Sequence, residues 1–531
     1  MTTQPEKEIT NKRRWALQRL GHLAPVNMLL CLAFPLLAQT ERKMLLPPET
    51  ALETWTRRYS SLGNLDDQPK AVAVHANGDV MVTGCAGLPA HYPLTTGDFY
   101  TAKYAAPDGA LLWEQRYNSR SNLLDYPTAM ALDSQGNVVV TGCSLLACSI
   151  GCRSEFYTVK YAGPNGVLLW EQRYQGPDPA YSSGFSDVST DVAVDGEGNV
   201  TVTGKSAMGE RMDQYTAKYR SADGALLWET RYTNAFYAFA IAVDASGDVV
   251  VTGQRFVAKY AGTNGALLWE RLYPTGADSA EVCIDPSGNV VVMAYLDVDE
   301  SPPCYTAKYA GTNGALLWEN RGGPGDEDGA PVVDAAGNVI VIGFGLAKYA
   351  AANGAMLWSN RFDGTVDGPD YAIAAVADAA GDIVVIGWAA TTNGNEYCTA
   401  KYASADGSLL WEQRYRAPGT LDAQAGALAL DLAGNVIVTG TETAINGTQD
   451  FLTVKYLTVA CPLLGPPQPV PEGVGLSFAA KPGLTYTVER AQTISGSWTT
   501  MGAALVGTNG VGTLLDTNPP AGGAFYRAVY P

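Results

Sequence analysis

One aspartate recurs in the sequence at a spacing that could bind a cation. In five repeated units this Asp lies eight residues before a second recurrent Asp (or His75), and in two units the spacing is seven or nine residues. The members of the series are Asp67, Asp125, Asp187, Asp278, Asp326, Asp370 and Asp422. Calcium prefers carboxylate oxygens, so the series predicts a partial acidic ring that attracts calcium or a basic group. The favoured alternative is structural, with each Asp capping a tight bend by accepting backbone hydrogen bonds.

Few residues of this chain could support nucleophilic or histidine-based catalysis. Once an N-terminal leader is set aside, only His75 and His91 remain, so a Ser–His–Asp triad or a histidine metal site is not favoured. Two carboxylates could still cleave a glycosidic bond, but the sequence does not give their separation. A non-catalytic role is therefore preferred to that of an enzyme.

Cysteines give a second candidate metal or redox group. In an oxidising compartment Cys148 and Cys152 are the nearest couple for a disulfide, while Cys143, Cys148 and Cys152 would be the rival zinc group. No histidine lies nearby and the spacing matches no standard zinc motif. Buried thiols with one disulfide are favoured among the eight cysteines that follow the leader: Cys85, Cys143, Cys148, Cys152, Cys283, Cys304, Cys398 and Cys461.

These residues lie on a repeated unit that must position them. Each unit has an apolar strand ending in Asp, a turn of the type Asp-x-x-Gly-Asn, and a second apolar strand, as in residues 192–204. In this hairpin turn the Asp accepts backbone donors and the Gly takes a positive φ, so we expect turn fixation rather than calcium ligation. The turn position is held by His75, Asp133, Asp195, Asp244, Asp285, Asp334, Asp378 and Asp431.

A third strand ends in Lys-Tyr and a fourth carries Leu-Leu-Trp. Eight Lys-Tyr strands occur, but only seven are followed by the tryptophan strand, and the missing copy resembles residues 51–59 around Trp55. A ring explains this count, because the N-terminal strand would complete the last sheet and remove an unpaired edge. The tryptophans are expected to be packing anchors between repeats: Trp55, Trp113, Trp170, Trp228, Trp269, Trp318, Trp358 and Trp411.

The third and fourth strands form a hairpin of constant length. Lys precedes Trp by ten residues in every complete hairpin and usually precedes Glu by eleven, as in Lys103, Trp113 and Glu114. We therefore expect a cross-strand Lys–Glu or Lys–Trp contact. The fold class predicted is all-β: an eight-bladed β-propeller over residues 51–456, closed by the strand at 51–59.

The motif Val-Asp-x-x-Gly-Asn-Val-x-Val-Thr-Gly, followed by Tyr-Thr-x-Lys-Tyr, resembles the bacterial β-propeller repeat called SBBP. That family is nominally seven-bladed, whereas this chain has eight units. The Ala-Lys-Tyr to Leu-Leu-Trp hairpin also resembles the tryptophan-docking motif of quinoprotein propellers, which have eight blades. The quinoprotein resemblance supports the architecture, but its adjacent Cys-Cys pair is missing here. No cofactor is therefore predicted, and calcium at the recurrent aspartates is the favoured ion.

The two ends of the chain differ from the repeat. Residues 1–40 combine basic residues with an apolar run from Val26 to Ala38, which predicts a cleaved signal peptide and no transmembrane segment. A Pro-rich linker at 457–473 precedes a small β-sandwich at 474–531, which resembles a C-terminal module of secreted Verrucomicrobia-type proteins. The protein is therefore expected to be secreted or at the cell surface, as a monomer.

Function is predicted on the face whose loops vary. Turns between strands one and two, and three and four, are short and uniform, whereas the loops between strands two and three vary widely, from residues 84–99 to residues 253–256. Such variation marks a binding face or neutral drift of surface loops. With a net charge of −18 nucleic acid is excluded as a partner. The prediction is a module that binds a protein or glycan; the alternative is a secreted carbohydrate-active enzyme with acids at the channel mouth.

Overall fold

A computed structural model describes most of the chain from Glu49 onward. The predicted signal peptide at 1–40 lies outside the described residues, as do His91, Asp326 and Cys461. The described ranges are 49–61, 65–89, 96–148, 152–177, 186–208, 211–233, 237–273, 277–296, 304–324, 329–362, 370–392, 394–460, 463–464, 467–480, 483–492, 497–507, 511–520 and 524–529.

The described part of the unit Pro47–Ala460 consists of antiparallel strands. In chain order they are β1 (Glu49–Tyr59), β2 (Asp66–Val74), β3 (Val80–Leu88), β4 (Asp98–Tyr104), β5 (Leu111–Tyr117), β6 (Asp125–Leu132), β7 (Val138–Cys148), β8 (Cys152–Tyr161), β9 (Leu168–Tyr174), β10 (Asp187–Val194), β11 (Val200–Met208), β12 (Arg211–Tyr219), β13 (Leu226–Tyr232), β14 (Ala238–Val243), β15 (Val249–Gly253), β16 (Phe256–Tyr260), β17 (Leu267–Leu272), β18 (Ala277–Ile284), β19 (Val290–Leu296), β20 (Cys304–Tyr309), β21 (Leu316–Arg321), β22 (Val332–Val333), β23 (Val339–Ile342), β24 (Gly345–Tyr349), β25 (Met356–Arg361), β26 (Tyr371–Ala377), β27 (Ile383–Thr391), β28 (Gly394–Tyr402), β29 (Leu409–Tyr415), β30 (Thr420–Leu430), β31 (Val436–Ala444) and β32 (Gln449–Ala460).

These strands form eight four-stranded sheets among the described residues. Sheets 1 to 7 are consecutive groups of four, from β2–β5 to β26–β29, and sheet 8 has the order β1-β32-β31-β30. Each innermost strand contacts those of the two neighbouring sheets, and β30 of sheet 8 contacts β2 of sheet 1. Twisted four-stranded meanders around a central axis define a β-propeller, which confirms the predicted all-β propeller class.

The N-terminal strand closes the last sheet as predicted. In β1, Trp55 lies opposite Lys455 of β32, and Tyr59 lies opposite Phe451. The pairing extends back to Glu49, opposite Ala460, so β1 covers the free edge of β32 from Phe451 to Ala460. The two ends of this unit are therefore hydrogen-bonded to each other, and β32 is not the edge strand of sheet 8.

Hydrophobic cores lie between neighbouring sheets. One cluster joins Phe99 and Trp113 of sheet 1 to Val138, Val140 and Tyr157 of sheet 2. The second strand of sheet 1, β3, is buried along its whole length, as expected for a strand packed on both faces. The innermost strand β2 differs from that expectation, because most of its residues are only half-buried.

The second unit, described from residue 463, is also built from strands. They are β33 (Leu463–Leu464), β34 (Gln468–Val470), β35 (Gly473–Ala479), β36 (Thr485–Ala491), β37 (Thr499–Leu505), β38 (Val511–Asp516) and β39 (Phe525–Val529). One sheet pairs β35 with β33, β34 and β38, and the other has the order β37-β36-β39. Phe478, Tyr486 and Tyr526 share one buried cluster across both sheets. Part of the segment expected to be a linker, residues 457–473, thus lies in strands.

Within the described ranges there is no helix with the length and hydrophobicity that crossing a membrane requires.

Candidate functional site

Four of the recurrent aspartates are buried among the described residues, namely Asp67, Asp125, Asp187 and Asp370. The two carboxylate oxygens of Asp67 accept from the amides of Ser61 at 2.6 Å and Gly87 at 2.8 Å. Asp125 accepts from the amide of Ser119 at 2.6 Å. Burial raises the pKa of both carboxyl groups, that of Asp125 to about 6. These contacts are those expected of a residue that caps a bend.

Three further members of the series that the structure describes also accept hydrogen bonds. Asp187 accepts from the hydroxyl of Ser206 at 2.5 Å, and Asp370 accepts from the amide of Ala390 at 2.9 Å. Asp422 accepts from the amide of Asn395 in the preceding sheet at 2.7 Å. Asp278 lies in β18, but its side chain is outside the described part of the structure. The described residues include no group of three or more His, Cys, Asp or Glu suited to a metal. The acidic calcium ring stays a prediction, and the described geometry favours capping.

The second recurrent Asp fixes its turn as predicted. Asp133 accepts from the amides of Gln135 at 3.0 Å and Asn137 at 2.9 Å, and Gly136 has a φ of 77°. Its other oxygen is 2.9 Å from the ammonium of Lys160, and both side chains are almost fully buried. This ion pair was not predicted from the sequence, although the equal number of turn positions and Lys-Tyr lysines, eight of each, is a signal for it.

The same lysine joins one sheet to the next. Lys160 donates to the carbonyl of Ser221 in sheet 3 at 3.2 Å, and Trp170 donates to that carbonyl at 3.0 Å. Lys160 and Trp170 are directly opposite each other in the register, so the predicted Lys–Trp pair is present. Glu171 instead accepts a hydrogen bond from Tyr157. We call this arrangement of turn carboxylate, Lys, Trp and neighbouring carbonyl the lysine clamp.

The lysine clamp recurs around the unit. All eight anchor tryptophans are buried. The described acceptor carbonyls shared by a Lys and a Trp are those of Ala106, Gly163, Ser221, Gly262, Gly311, Ala351 and Ser404.

Two sheets depart from this pattern in informative ways. In sheet 1, where His75 replaces the turn Asp, Lys103 pairs with Asp79 at 3.0 Å. Asp79 also accepts from the amide of Ala106, as Asn137 does from Gly163 in sheet 2. In sheet 7, the indole nitrogen of Trp411 is buried without a hydrogen bond among the described residues. In the other sheets the acceptor carbonyl belongs to the turn between strands three and four of the next sheet. Sheet 8, which follows sheet 7, has no such turn because its fourth strand is β1.

The predicted loop face carries a row of three aromatic rings, of which Phe344 is exposed and Tyr371 and Trp388 are half-buried. Phe344 follows strand two of sheet 6, and Tyr371 and Trp388 lie on strands one and two of sheet 7, all at the ends opposite the short turns. Ring centroids are 5.1 Å apart for Phe344–Tyr371 and 4.8 Å apart for Tyr371–Trp388. Phe344 is 57% exposed. Beside it is a cavity of about 470 Å³ lined in part by Pro324 and Leu346.

The connections between strands two and three vary in length around this face, as predicted. The second and third strands of sheet 6 join directly at Ile342–Gly345, and those of sheet 4 at Gly253–Phe256. In sheets 2 and 8 the corresponding strands extend further, to Cys148 and Ala444. Cys148 and Cys152 are cross-strand partners at the end of the sheet 2 hairpin, which keeps the predicted disulfide a candidate.

The innermost strands carry two further carboxyl groups that were not predicted as site residues from the sequence. Asp191 and Glu281 occupy the same position, four residues before the turn Asp, where six other units have Ala. Asp191 accepts from the amide of Ile241 in sheet 4 at 2.9 Å. Burial raises the pKa of Asp191 to about 6 and, together with the charge of Asp191, that of Glu281 to about 8.

The fold and its sheet-to-sheet contacts define a β-propeller protein. Residues 154–298 and 306–449, more than half of the chain, match the family described as outer membrane protein assembly factor BamB. The chain belongs to this family. The match supports the propeller, whereas the SBBP repeat type and the Verrucomicrobia-type module remain predictions.

Several solved structures are similar to this chain at low sequence identity. BamB from Moraxella catarrhalis is 14% identical, with 76% of this chain and 97% of that chain covered and a TM-score of 0.45. The C-terminal WD40 domain of Sif2 is 10% identical, with coverage of 76% and 98% and a TM-score of 0.50. Sqt1 from Chaetomium thermophilum is 11% identical, with coverage of 76% and 99% and a TM-score of 0.48. No curated protein matches the chain.

Proposed function

We propose that this protein is an exported, non-catalytic propeller of eight blades that binds a protein partner through its loop face. The observation that carries the proposal is the aromatic row of Phe344, Tyr371 and Trp388. Tyr and Trp are enriched among residues that dominate protein–protein binding energy, and such residues cluster beside well-packed pockets. The cavity next to Phe344 could receive one apolar side chain of the partner.

Position within the repeat supports a specific role for this row. The residue after the second strand's Gly is Cys85, Cys143 or Lys205 in sheets 1 to 3, whereas sheets 6 and 7 have Phe344 and Trp388. A purely structural position would be expected to carry one residue type around the ring, as the clamp lysines do. The net charge of −18 favours a partner with a basic rim around an apolar centre.

Family membership supports a scaffolding role outside the cytoplasm. The family is described as an outer membrane protein assembly factor, and one related structure shows Sqt1 bound to the N-terminus of ribosomal protein L10. We extend the proposal to the predicted signal peptide at 1–40, a secreted or surface location, a monomer, and a small C-terminal β-sandwich at 474–531. The carbohydrate-active enzyme is the second candidate, and Asp191 with Glu281 is the carboxyl pair that it would use.

A binding experiment with mature chain tests the proposal. Immobilised residues 41–531 are cross-linked in an envelope extract of the producing organism, and retained proteins are identified by mass spectrometry. We expect one partner to be lost with Phe344→Ala and with the triple variant Phe344→Ala, Tyr371→Ala, Trp388→Ala. Leu432→Ala, an 86% exposed residue of a short turn on the opposite face, should retain it. No specific partner for the wild type, or a partner indifferent to both aromatic variants, contradicts the proposal.

A further inference from the structure

A polar pocket lies at the outer rim of the loop face, between sheets 1 and 2. It has a volume of about 480 Å³ and is lined by Tyr117, residues 118–121, Leu146, Glu171 and Arg173. Tyr117 ends the outermost strand of sheet 1, and Glu171 and Arg173 lie on the outermost strand of sheet 2. Pockets of this volume are typical of small-molecule sites.

The chain segment that forms one wall is held in a fixed conformation. Asp125 accepts the amide of Ser119 at 2.6 Å, and the hydroxyl of Ser121 donates to the carbonyl of Leu145 at 2.6 Å. Asn122 has a φ of 51°, and its side chain accepts from Asn118 at 2.8 Å. A left-handed non-glycine residue costs about 1 kcal/mol or more. The wall is therefore ordered before any ligand binds.

One arginine of the pocket is engaged and the other is open. Arg173 donates to Glu155 at 2.5 Å and to the hydroxyl of Tyr117 at 2.7 Å, and its guanidinium lies 4.6 Å from the ring centre of Tyr157. Arg120 is exposed and has no hydrogen-bond or ion-pair partner among the described residues. Arg120 is thus the cation in this pocket that is available to a ligand.

Arg173 makes contacts that recur in another sheet, whereas Arg120 does not. Arg231 of sheet 3 also reaches an acid of its own sheet, Asp213, and the tyrosine of the sheet before it, Tyr174. Arg173 therefore belongs to a recurring contact between sheets. Arg120 does not, since the third residue after the equivalent tyrosine is Leu62 or Pro177 at the ends of sheets 8 and 2.

We propose that this rim pocket binds an acidic saccharide, with Arg120 pairing with the carboxylate of a uronic acid residue. Arg pairs favourably with carboxylates through parallel hydrogen bonds. The hydroxyl of Ser119, a buried residue of the lining, and the carboxylate of Glu171 would accept hydrogen bonds from the sugar hydroxyl groups.

The lining favours a saccharide over a peptide. Leu146 is its one aliphatic side chain, and the ring of Tyr117 is covered by Tyr157 at 3.9 Å between centroids and by Arg173 at 5.2 Å. The pocket therefore lacks the free apolar anchor point that peptide recognition requires. A sugar ring, whose hydroxyl groups both donate and accept, matches this set of polar groups better.

Calorimetry on the full chain tests this inference without using any residue of the aromatic row. The probes are tetrasaccharides of galacturonic, glucuronic and mannuronic acid, the methyl ester of the one that binds, and a capped hexapeptide with a free C-terminal carboxylate. We expect one uronate to bind, its ester to bind at least tenfold more weakly, and Arg120→Gln to reduce uronate affinity at least tenfold. Arg220→Gln, an exposed arginine of a short turn, should bind as the wild type does.

Four results would overturn the inference: equal affinity for the ester and the acid, unchanged affinity in Arg120→Gln, binding of the peptide alone, or no uronate binding. Because Arg120 is exposed and makes no hydrogen bond or ion pair within the described residues, its substitution should leave the melting temperature unchanged. Loss of a protein partner in the aromatic variants would be a separate result.

Discussion

Lys160 and Asp133 form an ion pair with 2.9 Å between Nζ and Oδ2, and their side chains are 1% and 0% exposed. The ammonium also donates to the carbonyl and the hydroxyl of Ser221 in the next sheet. Although burial opposes ionisation of Asp133, hydrogen bonds from Lys160 and Asn137 lower the pKa of its carboxyl. Asp133 is therefore ionised at neutral pH, and its ion pair with Lys160 stabilises both the turn and the contact between two sheets.

Replacing this lysine should destabilise the propeller strongly. In Lys160→Met the carboxylate of Asp133 stays buried without its counter-charge, and the amides that it binds at Gln135 and Asn137 prevent it from moving to solvent. Breaking one partner of a buried pair typically costs about 3–5 kcal/mol. Urea unfolding at pH 7 measures this loss.

A double variant tests whether the loss comes from the unpaired charge. Asn at position 133 can still accept the two amide hydrogen bonds, so Lys160→Met with Asp133→Asn should recover part of the loss. Lys70→Met, an exposed lysine 4.9 Å from the ring centre of Tyr126, is the matched control and should change stability by less than about 1 kcal/mol. A Lys160→Met variant as stable as this control would show that the lysine clamp is not needed.

Gly166 should not tolerate a side chain. Its φ is 68°, and a Cβ built there would lie 2.8 Å from the ring of Trp113 in the preceding sheet. Gly166→Ala therefore combines backbone strain with overpacking, and we expect a loss of about 2–4 kcal/mol in urea unfolding. Gly196→Ala, where a Cβ would meet no atom within 4 Å, is the control and should be nearly neutral. Equal stability of the two variants would contradict this packing argument.

The repeat pattern was sufficient to predict the propeller, its strand order and the pairing of β1 with β32, because each of these follows from counting units. It was not sufficient for contacts between units. The spacing of Lys160 and Trp170 indicates that they are cross-strand neighbours, but the carbonyl of Ser221 that both side chains reach belongs to the next repeat. Arg120 and the aromatic row occur once each, so periodicity carried no signal for them.

The closing strand should be required for a monomeric fold. A chain that begins at residue 60 lacks β1, which exposes the backbone groups of β32 and removes Trp55 from its cluster with Tyr104. Unpaired edges of this kind associate with other strands. We expect this chain to form oligomers in size-exclusion chromatography with light scattering, whereas a chain that begins at residue 47 should remain a monomer. Identical monomeric profiles would contradict circular closure.

Glu281 should make stability depend on pH in the direction opposite to acid denaturation. Burial and the charge of Asp191 raise its pKa from 4.5 to about 8, so the folded state holds this proton more tightly than the unfolded state. The stability that the folded state gains from this proton is fully present below about pH 4.5 and is lost as the pH rises through 8. Glu281→Gln cannot ionise, so its stability advantage over the wild type should grow from pH 5 to pH 8.5, reaching about 1–3 kcal/mol after allowance for partial exposure.

Urea unfolding at intervals of one pH unit measures this difference, with Glu197→Gln in an exposed turn as the control. Parallel stability curves for the wild type and Glu281→Gln would show that the carboxyl ionises in the folded state as freely as in the unfolded chain.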